Sequence, residues 1–102
     1  MSKVYVVNRG THDFSKAEKF GRLIYMTEGF QPKLAVSAAH RRFEFCMQES
    51  EQEDWILITG LSVLNCIACS IFALTHKRLN LLLFDGRRYV ERVLIMGEKE
   101  NE

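Results

Sequence analysis

The sequence has almost no net charge, because 14 lysines and arginines nearly balance 13 acidic residues. A near-neutral chain has no general attraction to nucleic acid or to anionic lipid. We therefore expect neither a nucleic-acid partner nor a membrane partner. Basic residues do alternate with an aromatic one in Arg87-Arg88-Tyr89-Val-Glu-Arg92, which also suits single-stranded nucleic acid. An edge strand explains this pattern better, since charges along an edge discourage unwanted pairing.

Phosphate-binding and catalytic motifs are also missing. The chain contains neither GxGxxG nor GxxxxGK[ST], and Ser62 in TGLSVL lacks the GxSxG frame of a nucleophile. His12 and Asp13 are adjacent in sequence, so they cannot easily bond each other and also face one substrate. Asp13 is better explained as the cap of the following helical turn. We expect no catalytic residue, and an enzyme is the less favoured hypothesis.

Cysteines are few, and their spacing does not indicate chemistry. Cys66 and Cys69 match CxxC, but a redox pair needs its first thiolate at a helix N-terminus, and this pair falls inside a predicted helix. Zinc would need further ligands, and Cys46, His40 and His76 match no finger spacing. We expect structural thiols, no metal and no cofactor. Three thiols and the lack of a signal-peptide pattern predict a cytoplasmic protein.

Residues 55–75 read WILITGLSVLNCIACSIFALT and contain no charge. This length reaches the roughly 20 residues of a membrane span, but polar residues are scattered through it and its flanks suit strands. Asp54–Thr59 is an aromatic and β-branched run that Gly60 ends, which predicts a buried strand. Leu61–His76 has helical spacing and Ser62 as its N-cap. The inward face of that helix comprises Leu64, Ile67, Ala68, Ile71, Phe72 and Thr75.

The opposite face of the same predicted helix is nearly as apolar. It carries Val63, Cys66, Ser70 and Ala73. A surface helix of a monomer usually has a charged outer face, whereas a helix that is apolar all round is buried on both sides. In so small a domain, the structure that buries the outer side of this helix is best supplied by another subunit. We therefore predict a homo-oligomer with these four residues in its interface.

The remaining segments complete an α/β pattern in the order β, short α, β, α, β, α, β, β. A capping box opens a helical turn at Ser15–Glu18, and Asp85-Gly86 predicts a two-residue hairpin. We predict a small Rossmann-like fold with a largely parallel sheet and an antiparallel edge hairpin. Residues 1–97 form its single domain, and residues 98–102 form an acidic flexible tail. The other predicted segments are the strands 4–7, 22–26, 80–84 and 88–96 and the helix 33–48.

Two polar turns, NRGTHD and TGLS, directly follow predicted strands, so both belong at the carboxyl edge of the sheet. Open α/β sheets bind ligands at that edge, near a reversal of strand order. Backbone N–H groups at a helix N-terminus there suit an anion, and Arg9 suits a phosphate. The predicted ligand is a phosphorylated or nucleotide-like small molecule. The predicted site comprises Asn8, Arg9, Gly10, Thr11, His12, Thr59, Gly60 and Ser62.

NRGTHDFSKAEKFG near the start and LNLLLFDGRRYVERVL near the end resemble segments of small accessory proteins of tailed bacteriophages. The resemblance covers most of the chain, involves no motif of known chemistry, and implies a compact protein in the host cytoplasm with no catalytic residue.

Three functions stay open. The first is a non-enzymatic, homo-oligomeric protein that sequesters a nucleotide-like molecule. The second is an interaction or assembly protein without a small ligand, which binds a host protein through the hairpin of residues 84–96. The third is a small nucleotide hydrolase that uses His12 or Asp13.

Overall fold

A computed structural model describes residues 2–32 and 34–97. Five strands form one sheet in the order β2-β1-β3-β4-β5, with every neighbouring pair parallel except β4 and β5. The predicted α/β class is confirmed, with a largely parallel sheet and an antiparallel edge hairpin. The strands are β1 Lys3–Val6, β2 Arg22–Tyr25, β3 Trp55–Leu57, β4 Arg78–Phe84 and β5 Tyr89–Ile95.

Helices cover the two faces of the sheet unequally. The 3₁₀ helix Ser15–Phe20 packs on one face, while α1 (Val36–Cys46) and α2 (Ser62–His76) pack on the other. The chain runs from β1 to β2 in one direction and then back across the sheet to β3 and β4. Because crossovers between parallel strands are right-handed, this reversal moves the later helices to the opposite face. Alternation along β1 accordingly sends Tyr5 into the α-helical core and Val6 into the other.

The uncharged stretch is a strand followed by a helix, as predicted. β3 is buried, and α2 buries Leu64, Ala68 and Phe72 against the sheet. Thr75 was predicted on this inward face but is exposed, and its hydroxyl bonds the carbonyl of Ile71 one turn back. Helix α2 has 15 residues. Across the described part of the chain, no helix combines the length and the apolarity that a bilayer crossing needs.

Two predicted helix caps are wrong. Ser62 is the first residue of α2, and the N-cap position is held by Leu61, which has no side-chain acceptor. The amide of Asn65 bonds both the N–H and the C=O of Thr59, so this side chain organises the turn in place of a serine cap. The capping box at Ser15 is absent as well. The N-cap residue is Phe14, and the carboxylate of Asp13, one residue earlier, accepts the N–H of Ser15 at 2.9 Å, so Asp13 stabilises the start of this turn as the sequence favoured.

The edge hairpin also departs from the prediction. Its loop comprises residues 85 to 88, because β4 ends at Phe84 and β5 begins at Tyr89, although the N–H of Asp85 still donates to the carbonyl of Arg88 at 3.0 Å. The carboxylate of Asp85 accepts the N–H groups of Arg87 and Arg88 and stabilises this longer loop. Strand β4 begins at Arg78, two residues before the predicted start.

The junction between α2 and β4 accounts for that early start. Lys77 has a left-handed conformation with a φ of 59°, which ends the helix and leads directly into the strand. The predicted tail of residues 98–102 lies outside the described residues, as does Lys33 at the predicted start of α1.

At the amino edge of the sheet, the buried side chains of Asp54 and Asn80 connect the segment before β3 to β1 and to β4. The side chain of Asp54 is fully buried and accepts the N–H of Lys3 at 2.8 Å and that of Glu51 at 2.7 Å. The ammonium of Lys3 lies 3.1 Å from the same carboxylate. Asn80 donates to the carbonyls of Gln52 and Asp54, both at 2.7 Å. These bonds hold the segment before β3 against β1 and β4.

Candidate functional site

The strand order reverses between β1 and β3, because β2 lies on one side of β1 and β3 on the other. In open α/β sheets this reversal creates a crevice outside the carboxyl ends of the strands. A cleft of about 280 Å³ lies at this edge, between the turn after β3 and the loop after β2. It is lined by Gln31, Pro32, Gly60, Leu61, Ser62, Val63 and Leu64.

The N-terminus of α2 forms one wall of this cleft. The first hydrogen bond of the helix runs from the N–H of Asn65 to the carbonyl of Leu61, at 3.0 Å. The N–H groups of the three residues before Asn65 therefore have no acceptor within the helix, and they point out of its end. Since Leu61 provides no capping side chain, the partial positive charge of this helix end is open to the cleft.

Thr59 contributes a second polar group at this edge. Among the described residues, only the hydroxyls of Thr59 and Tyr89 are buried without a hydrogen-bond partner. The Tyr89 hydroxyl belongs to the opposite face of the sheet, where its ring is part of the core beneath the 3₁₀ helix. Thr59 directly precedes Gly60, which lines the cleft. Of the two hydroxyls, that of Thr59 is therefore the one on the residue next to the cleft lining.

Arg9 does not line the cleft. Its N–H donates to the carbonyl of Thr27 at 2.8 Å, and its carbonyl accepts the N–H of Gly29 at 2.8 Å. Its guanidinium lies 3.5 Å from the carboxylate of Glu28 and 4.8 Å from the ring centre of Tyr25. Arg9 thus extends the pairing of β1 with the segment that follows β2, and its charge is engaged there.

The other residues of the NRGTHD turn also lie elsewhere. Asn8 bonds the hydroxyl of Thr27 at 2.6 Å and donates to the carbonyl of Gly29 at 3.1 Å. Gly10 and Thr11 are exposed. His12 lies edge-on to Phe14 and Phe84, with ring centres 5.0 and 5.4 Å apart, on the side of the 3₁₀ helix. The structure therefore divides the eight predicted site residues into two groups, and of these residues only Gly60 and Ser62 line the cleft.

Sequence reasoning missed the contribution of the loop after β2. Gln31 and Pro32 line the cleft, and Gln31 donates to the carbonyl of Glu28 at 2.7 Å. A signal was present, because this loop also follows a strand and therefore reaches the same edge. Gln31 additionally lines a neighbouring cleft of about 420 Å³, to which Arg42 brings a positive charge. The other residues that line this second cleft are Tyr25, Thr27 and Glu28.

The predicted interface residues of α2 lie on its outer side. Val63 is 46% exposed, Cys66 and Ser70 are exposed, and Ala73 is partly buried. Leu74, which the prediction did not include, is 76% exposed beside them. A groove of about 400 Å³ separates this surface from α1. The outer face of α2 is thus apolar and open to solvent in the single chain.

The three thiols are all free. Burial raises the pKa of Cys69 from its ordinary value near 9 to about 11, and the nearby Cys66 adds to the shift. Burial also raises the pKa of Cys46. Both thiols are therefore protonated at neutral pH, which is typical of structural cysteines. Within residues 2–32 and 34–97, no three His, Cys, Asp or Glu side chains are grouped to hold a metal ion.

Fold and cleft together define a small α/β protein with a ligand-sized crevice at the carboxyl edge of a mixed five-stranded sheet. Residues 2–94 match the model of the phage Pam3 gp32-like protein family, and the chain belongs to that family. The resemblance to phage proteins noted in the sequence is thereby confirmed. Neither the curated proteins nor the solved structures contain a match to the chain.

Proposed function

We propose that this phage protein is a non-enzymatic homo-oligomer that binds a small phosphorylated or nucleotide-like molecule at the N-terminus of α2. The observation that carries the proposal is the uncapped end of α2, which opens into a cleft where the strand order reverses. The proposed site makes the fold Rossmann-like in one respect, which is that the ligand binds near the point where the strand order reverses.

The chemistry of the cleft suits an anion that carries a small apolar body. Helix N-termini bind phosphate because their N–H groups converge on it and the helix dipole favours negative charge. Leu61, Val63 and Leu64 supply apolar surface for the remainder of the ligand.

The size of the cleft limits the ligand. Ligand pockets commonly measure about 300 to 1,000 Å³, so a cleft of about 280 Å³ lies just below this range. It suits a mononucleotide or a smaller phosphorylated metabolite. Longer ligands would have to extend past Gln31 into the neighbouring cleft, which is lined by the cation of Arg42 and the carboxylate of Glu28.

Binding without turnover is favoured over hydrolysis. A hydrolase would need His12 or Asp13, but neither residue lines the cleft, and His12 packs on the opposite side of the sheet. In a phage setting, the corresponding role is to lower the free concentration of a host nucleotide in the host cytoplasm.

The homo-oligomer is proposed to form through the outer face of α2. Val63 belongs both to this surface and to the lining of the cleft. A second copy packed on α2 would therefore cover Leu74 and close the cleft on one side. Both effects remove exposed apolar surface from water, which is the driving force for association.

The helix-end site is tested by replacing Ser62 with proline and with alanine. Proline is tolerated at the first position of a helix and removes one N–H donor. The preceding residue must be extended, and Leu61 already has φ −96° and ψ 94°. Ser62→Ala removes the same hydroxyl but keeps the N–H, so it is the matched reference.

Binding of adenosine monophosphate and of inorganic phosphate would be measured by isothermal titration calorimetry. We expect Ser62→Pro to bind at least tenfold more weakly than Ser62→Ala, because about 1.4 kcal/mol corresponds to a factor of ten and a hydrogen bond to an anion contributes more than that. Equal affinities would refute the helix-end site. No binding by the wild-type protein, together with no added mass in native mass spectrometry, would refute the ligand function.

A second pair of variants separates the two halves of the predicted site. Neither Gly60 nor Gly10 has a positive φ, and an added Cβ meets nothing within 4 Å at either position. The backbone at both positions therefore accepts a residue with a side chain. Gly60→Leu fills the cleft and should abolish binding, whereas Gly10→Leu should not. The opposite result would place the ligand at the NRGTHD turn.

A second candidate function is an interaction protein without a small ligand, whose partner is a host protein. Exposed apolar residues on the edge hairpin favour it, since Phe84 is 40% exposed and Ile95 is 54% exposed. Partner binding through the hairpin would be insensitive to Ser62→Pro, which distinguishes the two candidates.

A further inference from the structure

Strand β5 is the edge of the sheet, and its hydrogen bonds show which of its residues face outward. The N–H of Met96 donates to the carbonyl of Lys77, and the carbonyl of Arg88 accepts the N–H of Asp85. Alternate residues of an antiparallel strand direct their main-chain groups to the same side. Even-numbered residues of β5 therefore face β4. Odd-numbered residues, from Tyr89 to Ile95, direct N–H and C=O toward the open edge.

The second half of this edge lacks the usual protection against pairing. Edge strands are commonly guarded by charges, bulges or proline. Glu91 and Arg92 guard the first half of β5, but the apolar residues that follow them are Val93, Leu94 and Ile95. These are 45%, 48% and 54% exposed. All seven residues of β5 pair with β4 in unbroken register, so no bulge turns the edge away.

We propose that β5 pairs antiparallel with β5 of a second copy about a two-fold axis at Leu94, which joins the two sheets into one. A two-fold axis perpendicular to the sheet makes the second strand antiparallel to the first. It leaves each side chain on the same face of the joined sheet, so residues that point to one face lie opposite residues that point to that face. Leu94 then lies opposite its own copy, and Val93 lies opposite the partner's Ile95. The outward-facing main-chain groups of these odd-numbered residues become paired.

The charges of β5 select this register. An axis at Glu91 or Arg92 would place identical charges directly opposite each other, which is unfavourable. An axis at Val93 would place Ile95 against the partner's Glu91. An axis at Ile95 would leave fewer strand residues paired, since β5 ends there. The axis at Leu94 matches every exposed apolar residue of the edge with another.

The occupant is a second copy because the strand is complementary to its own reversal. Three consecutive apolar residues are centred on Leu94, and both charges lie on one side of them. A reversed copy therefore supplies apolar partners and moves the charges to opposite ends of the contact. The contact is small, below the roughly 1,200 Å² of standard interfaces, so we expect a reversible dimer with a dissociation constant in roughly the micromolar range.

Cysteine pairing tests the register in a Cys66→Ser background, which removes the exposed native thiol. At Leu94 the two copies form a pair without main-chain hydrogen bonds, with Cα atoms about 4.5 Å apart, within disulfide range. Val93 lies diagonal to its own copy, at about 7 to 8 Å, which is too far. Under mild oxidation Leu94→Cys should give a disulfide-linked dimer and Val93→Cys should not. The reverse pattern would overturn the proposal.

Sedimentation equilibrium tests the dimer itself. The β5 contact is isolated in a Leu74→Lys background, which places a charge on the outer face of α2 and disrupts the contact proposed there. In that background Leu94→Lys places two ammonium groups opposite each other and should weaken the remaining self-association at least tenfold. Phe30→Lys is the matched control, because Phe30 is an 88% exposed apolar residue in the loop after β2. A wild-type protein that is monomeric at millimolar concentration would overturn the proposal, as would a dimer of the Leu74→Lys protein that Leu94→Lys leaves intact. A protein that Leu74→Lys alone makes monomeric would also overturn the β5 contact and would assign self-association to α2.

Discussion

Replacing the buried Asp54 with alanine removes the acceptor that holds β1 to the segment before β3 at the amino edge of the sheet. Two main-chain N–H groups, those of Lys3 and Glu51, lose their partner, and the ammonium of Lys3 loses its counter-charge. No part of this carboxylate is exposed, so water does not already share these bonds. We expect Asp54→Ala to lower the free energy of unfolding substantially.

The magnitude follows from these contacts. A hydrogen bond to a charged group contributes about 1.5 to 3 kcal/mol, and breaking a buried ion pair costs about 3 to 5 kcal/mol. The side chain of Lys3 is 14% exposed, so its ammonium can regain some hydration. This places the loss near the lower end, at about 3 kcal/mol. A domain of this size has about 5 to 15 kcal/mol in total, so a large fraction of its stability would be lost.

Urea denaturation measures this loss through the fluorescence of Trp55, which is the single tryptophan, with circular dichroism as a second probe. Asp85→Ala is the matched control. Asp85 also accepts two main-chain N–H groups, but its side chain is 45% exposed and water can replace it. The control should lose far less stability. Similar losses in both variants, or a loss below about 1 kcal/mol in Asp54→Ala, would refute the reasoning.

Three further predictions concern backbone strain and thiol chemistry. A Cβ at Gly21 would clash with the carbonyl oxygen of Ser2, so Gly21→Ala should lower the free energy of unfolding in urea by about 2 to 4 kcal/mol. Gly10→Ala, whose Cβ meets nothing within 4 Å, should be near neutral. Iodoacetamide at pH 8 should alkylate the exposed Cys66 faster than Cys69, because burial raises the pKa of Cys69 to about 11. Peptide mass spectrometry measures the two rates, and equal rates would contradict this prediction. Because the pKa of Cys69 is higher in the folded than in the unfolded protein, its thiol contributes to the free energy of unfolding fully below about pH 9, and this contribution is lost as the pH rises toward 11. The free energy of unfolding of Cys69→Ala should therefore change less between about pH 9 and 11.

Elements with a strong hydrophobic pattern could be predicted from the sequence. The β3–α2 unit was found because Trp55–Leu57 is a buried run and because residues 64, 68 and 72 recur at helical spacing. Turn details could not be found this way. Asp85-Gly86 suits a two-residue hairpin, yet the carboxylate of Asp85 bonds Arg87 and Arg88 and stabilises a four-residue loop. Periodicity does not report such side-chain bonds to the main chain.

The candidate site was predictable only in part, because its composition depends on strand order. Local pattern identified the turn at Gly60 and placed it at the carboxyl edge. It could not show that Arg9 pairs with Thr27 and Gly29, because this contact joins segments 18 to 20 residues apart across neighbouring strands. Gln31 was missed for the same reason, since its place beside the cleft follows from the position of β2 in the sheet.

The antiparallel direction of β5 has a practical consequence for attachment. The four parallel strands start at the amino edge, and β5 ends there, because Ile95 pairs with Arg78 at the start of β4. Residue 2 and residue 97 are therefore both on the side of the sheet away from the cleft. A label, an affinity handle or a surface tether joined before residue 2 or after residue 97 would leave the opening of the cleft facing the solution.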